Sequence, residues 1–288
     1  MLLDQLSGDV VFSPYGLHRA LSVIRGGATG ETRRALERFE MPPEVPGVVS
    51  AQAAWLHEDY RPGRKLRLDT GPLDLEAINA WSSEHTRGMI PRILESLDPD
   101  EVFVLTDAEY LDAKWQRPFE DTRPAPFEGV GDVPMMSVEG TFEYADGAVR
   151  LPYSEHDLRF VATLGEPGER DWARGHGTVE LPRFTVESSI DVNEVLGLSF
   201  ETGHDLDELI EGPGAKGISR ILQRARVDVD EEGTRAAATT AVMARAVAFI
   251  QPQFHIVFDR PFTWAIEHAP TGTVLFAGRV VNPVQRRD

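Results

Sequence analysis

The chain has 288 residues, 41% of them hydrophobic, enough for one large domain with a substantial core. Its formal net charge of -18 argues against nucleic acid, polyanions and acidic membranes as partners, since each would have to overcome long-range repulsion. The lack of cysteine removes disulfides, thiol catalysis and thiolate metal sites together.

The composition is even, without a Pro/Gly/Ser-rich linker or an internal repeat, so a single domain over residues 1–288 is expected. The opening MLLDQLSGDVV has no basic segment followed by an apolar run, and no stretch of about 18 apolar residues occurs anywhere. The expectation is a cytoplasmic protein, or a secreted one if a leader precedes this sequence.

In chain order the patterns predict a short N-terminal helix, a strand and helix over 10–38, a strand at 48–57, a helix at 74–84 and a strand at 101–111. A β-rich half follows, with strands near 138–144, 148–152, 157–164 and 178–187, a short helix at 191–197 and a strand at 219–230. The runs FTWAIEH and TVLFAGRVV, joined by a proline-glycine turn at 270–272, read as two closing strands. Helices first and strands later give an α+β class with one large sheet.

Several motifs have plain structural readings. RGGATGET at 25–32 resembles a phosphate loop, but Glu31 stands where the lysine is needed, and a turn after a buried helix is the simpler account. The eight histidines include no HExxH, and no GxSxG marks a nucleophile elbow. Ser13, in the pair SP ahead of a helix, fits an N-cap or a buried site beside a strand. The acidic run DLDELIE at 205–211 reads as a solvated helix face, and Trp115 as a buried aromatic with its indole N–H satisfied.

The stretch VDVDEEGTRAAATTAVMA at 227–244 carries the most information. In VDVDEE, apolar and acidic residues alternate as in a half-buried strand, and Gly233 breaks the pattern. In an extended chain Thr234, Ala236, Ala238, Thr240, Val242, Ala244 and Ala246 then share one uncharged face, while Arg235 and Arg245 share the other. Such a face can slide between two strands. The alanine-rich run also suits an exposed helix, so propensity leaves both readings open.

EEGTRAAATT at 231–240, DRPF at 259–262, PTG at 270–272 and LFAGRVVNP at 275–283 occur in the order typical of serpins, which this chain resembles. The resemblance extends through VVFSPYGLHRALSVIRGGATGETRRAL at 10–36, AINAWSSEHTRGMI at 77–90, DAKWQRPFEDT at 112–122, VPMM at 133–136 and LPRFTVESSIDVNEVLGLSF at 181–200. It covers most of the chain.

The resemblance implies an α+β fold with one large mixed sheet opened by insertion of a reactive loop at about 233–253, smaller sheets, and the reduced helix set of a shortened, bacterial-type member. It implies an inhibitor, not an enzyme: a serine protease cleaves the loop, and the loop inserts as a central strand while the acyl-enzyme is trapped. The alternative is a non-inhibitory serpin acting as a binding or chaperone-like protein. The matching hinge residues are Glu231, Glu232, Gly233, Thr234, Ala236, Ala237 and Ala238. Fourteen residues beyond Gly233 lies the bond between Val247 and Ala248, which favours an elastase- or subtilisin-like protease; Arg245, Phe249 and Ile250 are alternatives.

Departures from the family pattern are equally specific. The segments at 39–48 and 60–75 are too short for helices found in longer relatives, including one at 39–48 that carries polyanion binding in some, and 165–177 is a contracted loop, so no polyanion cofactor is expected. No metal or other cofactor is implied. Where relatives place Ser, Asn and His beneath the main sheet, the sheet-opening region here matches Ser13, Gly16, Asp107 and Gln223, with Trp115 at the upper end.

Overall fold

Ser13 ends one buried element and begins another, because its side chain accepts from Gly16 N and leaves Pro14 at the first helical position. The computed structural model describes residues 3, 6–165, 168–200, 203–214, 217–234 and 251–284. In chain order β1 (Val10–Phe12) leads into α1 (Pro14–Gly27) and α2 (Gly30–Ala35). Next come β2 (Val48–Leu56), β3 (Arg61–Pro62), β4 (Asp69–Pro72) and α3 (Leu75–His85). β5 (Phe103–Leu111), β6 (Ala113–Lys114), β7 (Asp121–Phe127), β8 (Gly131–Ala145), β9 (Ala148–Pro152), β10 (Leu158–Leu164) and β11 (Ala173–Pro182) follow. β12 (Phe184–Asp191), α4 (Val192–Leu196), β13 (Ile210–Glu211), β14 (Arg220–Val229), β15 (Gly233–Thr234), β16 (Phe254–Val257), β17 (Phe262–His268) and β18 (Thr273–Val280) complete the order.

The main sheet is mixed and seven-stranded, in the order β4-β2-β5-β14-β15-β6 with β12 also on β14. A nine-stranded sheet runs β1-β18-β17-β10-β9-β8-β11-β16, with β7 on the far end of β8. β5 is buried along its whole length, so both of its faces are covered. Phe103 and Leu105 join the α1 residues Leu17, Leu21 and Ile24 in one cluster, while Val104, Ala108 and Tyr110 meet Ile78 of α3 in another. Each fully buried Leu or Ile contributes about 1.5–3 kcal/mol, so α1 is held chiefly by this face. The same alternation turns Asp107 and Glu109 toward α1.

The helices expected over 10–38, 74–84 and 191–197 and most strands appear within a few residues of their predicted positions; the short N-terminal helix falls in part on residues outside those described. The strand expected at 178–187 is two strands in different sheets, β11 and β12, parted at Arg183. The run 205–211 is corrected: it forms turns and β13, not a helix, and Leu206, Leu209 and Ile210 are buried. Its acids have local work, since Asp205 Oδ2 accepts from Thr32 N at 3.0 Å and Glu208 pairs with Arg64 and Lys65. β7 escaped the pattern because Pro124 and Pro126 suit an edge strand, and it pairs with β8 alone.

Candidate functional site

β5 and β14 pair directly and in parallel, from Arg220 opposite Val104 to Ala225 opposite Glu109. Beyond this seam, β15 lies between β14 and β6. Thr234 pairs with Val229 on one side and Ala113 on the other, and Gly233 pairs with Lys114, all antiparallel. The site thus has a closed seam with an entry already occupied by the first two residues of a strand.

The entry is tied from several sides. Asp230 Oδ1 accepts from Glu232 N at 2.9 Å and Gly233 N at 3.1 Å, which closes the turn. Gly233 fits because a Cβ there would stand 2.2 Å from Ala113 O. Trp115 donates its backbone N–H to Glu232 O and its indole N–H to Asp230 O, each at 2.9 Å. The indole lies on Tyr153 with centroids 4.5 Å apart, and the Tyr153 hydroxyl is hydrogen-bonded to Thr234 Oγ1. Burial pushes the Tyr153 hydroxyl pKa up, so it stays neutral. Glu231 is bonded by Arg183 and Thr122; burial opposes its ionisation, but those bonds outweigh it and hold the carboxyl below its ordinary value.

Beneath the seam the sequence-predicted polar residues meet. Gln223 exchanges a reciprocal pair of bonds with the Ser13 backbone, at 2.8 and 2.9 Å, and donates from Nε2 to Asp107 Oδ2 at 2.7 Å. Asp107 Oδ1 accepts from Gln52 Nε2 at 3.0 Å, and Gln52 also donates to Gly16 O at 3.0 Å. Ser13 Oγ is hydrogen-bonded to Glu109 Oε2 and to Leu275 O, the latter at 2.7 Å, and accepts from Gly16 N at 2.9 Å. Burial pushes Asp107 up to about 6 against the bonds from Gln223 and Gln52. Burial, and then the charge of Asp107, push Glu109 well above the carboxylate range. A Cβ on Gly16 would stand 2.1 Å from Glu109 Oε1 and 2.4 Å from Asp107 Oδ2, so the two acids fit because residue 16 has no side chain.

Ser13, Gly16, Asp107 and Gln223 therefore converge, while Trp115 lies at the entry with Glu231, Glu232, Gly233 and Thr234. Thr234 is buried. Ala236, Ala237, Ala238, Arg245, Val247, Ala248, Phe249 and Ile250 lie outside the described residues. Sequence reasoning missed Glu109, Gln52, Tyr153, Arg183 and Thr122. A signal existed for Glu109, which stands two residues from Asp107 in a strand and so shares its face. None existed for the others, whose partners are distant in the chain.

The family model for Serpin (serine protease inhibitor) matches residues 57–283. The protein Z-dependent protease inhibitor of Homo sapiens is 27% identical over 96% of this chain and 78% of its own. The leukocyte elastase inhibitor of Bos taurus is 33% identical over 72% of this chain and 66% of its own. The crystal structure of Serpin48, a highly specific serpin of the insect Tenebrio molitor, matches with a TM-score of 0.82 at 22% identity, covering 98% of this chain and 93% of its own. That last likeness is one of fold.

Proposed function

This chain belongs to the serpin family, and from that premise we propose that it inhibits serine proteases as a suicide substrate, its loop cleaved and inserted as a central strand while the protease is held as acyl-enzyme. Reactive-loop insertion is the family's known instance of strand addition. The observation that carries the reading is the position of β15. Thr234 already has an inserted strand's antiparallel pairing on both sides and Gly233 on one, while β5 and β14 remain paired below them.

The two registers also agree with each other. Continued two residues at a time, Thr234 opposite Val229 and Ala113 puts Ala238 opposite Ala225 and Glu109, which already face each other across the seam. No register shift is needed to extend the strand. On the same count Ala244 falls opposite Phe103, the first residue of β5. Among the candidate cleavage residues, Arg245 would then sit at the strand's end, and Val247 is the first clearly beyond it. This sets Arg245 apart and leaves Val247, Phe249 and Ile250 beyond the strand; among these, the count of fourteen from Gly233 favours the bond between Val247 and Ala248 and an elastase- or subtilisin-like target.

Each backbone hydrogen bond gained contributes about 1 kcal/mol net, so insertion is favourable by on the order of 10 kcal/mol. A domain's stability is about 5–15 kcal/mol, so this is enough to distort a tethered protease. The test is incubation with elastase-, subtilisin-, trypsin- and chymotrypsin-like proteases followed by denaturing electrophoresis. A band at the summed mass of inhibitor and protease supports the reading. Cleavage by every protease without such a band rejects it.

A further inference from the structure

The proton count around Ser13 points to a fixed protonation state beneath the seam. A serine hydroxyl carries one proton and accepts through two lone pairs. Ser13 Oγ already accepts from Gly16 N at 2.9 Å, and it lies 2.7 Å from Leu275 O, a carbonyl that can only accept. The hydroxyl proton goes to Leu275 O. The remaining contact, to Glu109 Oε2, then needs its proton from the carboxyl group. We propose that Glu109 is a proton latch, a neutral carboxylic acid that donates to Ser13 and keeps the seam between β5 and β14 closed, so that rising pH loosens the seam.

The groups that face Glu109 act in both directions, and burial and then the charge of Asp107 outweigh the pull of Ser13, Ser50 and Arg19 toward the ionised form. From β5 itself comes Asp107, on the same face, accepting from Gln223 of β14 and Gln52 of β2 as an ionised carboxylate does. β2 also places Ser50 opposite Glu109. From α1 and its N-cap come Gly16, Arg19 and Ser13; Arg19 supplies the positive charge, and its Nη1 lies 3.3 Å from the Tyr15 hydroxyl. β18 contributes the Leu275 carbonyl. One cation beside two buried acids leaves room for one negative charge.

Ionising Glu109 would remove the donor to Ser13 and set a second buried charge beside Asp107. Parting β5 from β14 would admit water and relieve that repulsion, and it breaks the bond from Gln223 to Asp107. Burial and the neighbouring charge both raise the carboxyl's pKa in the closed state. A raised folded value means that stability is complete below the ordinary glutamate range and is lost as pH climbs through the folded value. The consequence for loop insertion rests on the function proposed above; the proton on Glu109 does not.

The test uses the intact chain. Infrared spectroscopy at neutral pH is expected to show a protonated-carboxyl band that Glu109→Gln removes, and the urea midpoint is expected to fall between about pH 5 and about pH 9. Glu109→Gln keeps a donor for Ser13, so its midpoint should fall less over the upper part of that range. If Glu109→Gln does not fold, Asp107→Asn serves: without the neighbouring charge Glu109 ionises more easily, so its band should vanish at lower pH. Absence of the band in the parent chain at neutral pH, a slope unchanged in Glu109→Gln, or a band in Asp107→Asn that persists to the same pH as in the parent would each overturn the latch. A chain that shows the latch but traps no protease would reject the proposed function and leave the latch standing.

Discussion

The buried Tyr153 hydroxyl is hydrogen-bonded to Thr234 Oγ1, so an aromatic residue leading out of β9 holds the buried residue of β15. Tyr153→Phe leaves that oxygen buried without its partner, a loss of about 1–3 kcal/mol. If the loop inserts along the register of β15, Thr234 keeps its place, so intact and loop-cleaved forms should lose stability about equally. Urea unfolding of both forms checks this, and a loss confined to one form would count against the pre-seated hinge.

Arg183 and Thr122 hold the Glu231 carboxyl below the ordinary glutamate value of 4.5. A depressed value means that the contribution is present above 4.5 and is lost as pH falls through the lower folded value. Arg183 is half-exposed, so the pair contributes at most about 1 kcal/mol. Arg183→Ala should lower stability at neutral pH and flatten the acid limb of the stability curve. Thermal melts between about pH 3 and about pH 7 decide it.

Gly16→Ala would drive a methyl group into the space of the Glu109 and Asp107 carboxyl oxygens. Overpacking of this kind costs about 1–3 kcal/mol. The intact form should melt earlier, and a melting temperature equal to the parent's would show that the acids have room to move.

If the loop inserts in the register of β15, Ala238 would come beside Glu109 and Ala225. Ala238→Glu would bring another carboxylate into that buried position, and even about 1.4 kcal/mol on the insertion barrier slows it tenfold. The variant should be cleaved as a substrate, with the ratio of covalent complex to cleaved chain reduced at least about tenfold. Arg235→Glu, on the opposite face, should leave the ratio within about twofold, as solvent-face changes usually do. Equal trapping by Ala238→Glu and the parent would refute insertion along this register.

A single cut in the loop should raise the melting temperature sharply, since the added strand is favourable by on the order of 10 kcal/mol. Mass spectrometry of the released C-terminal fragment is expected to begin at Ala248. A fragment beginning at Ala246 would put Arg245 at the cut and turn the specificity toward trypsin-like proteases. If the melting temperature of the cut chain matches that of the intact one, the loop does not insert.

Much of this was legible in the chain because it is local. Period-2 alternation, a Ser-Pro pair ahead of a helix and the run EEGT are read within a few residues, and they set β14, α1 and β15. Ser13, Gly16, Asp107 and Gln223 were also recognisable, by their order in the family pattern. What that order could not reveal is that two carboxyls share the space beneath the seam, because Glu109 gains its role only from Ser13, ninety-six positions away, and from the missing side chain at residue 16. Nor could it show that 205–211 forms turns, since that depends on Asp205 bonding α2 and on Leu206 and Leu209 finding a core to enter. Local backbone preference and pattern fix the elements; burial and long-range hydrogen bonding, which exist only once the sheets are assembled, decide the charge states at the seam.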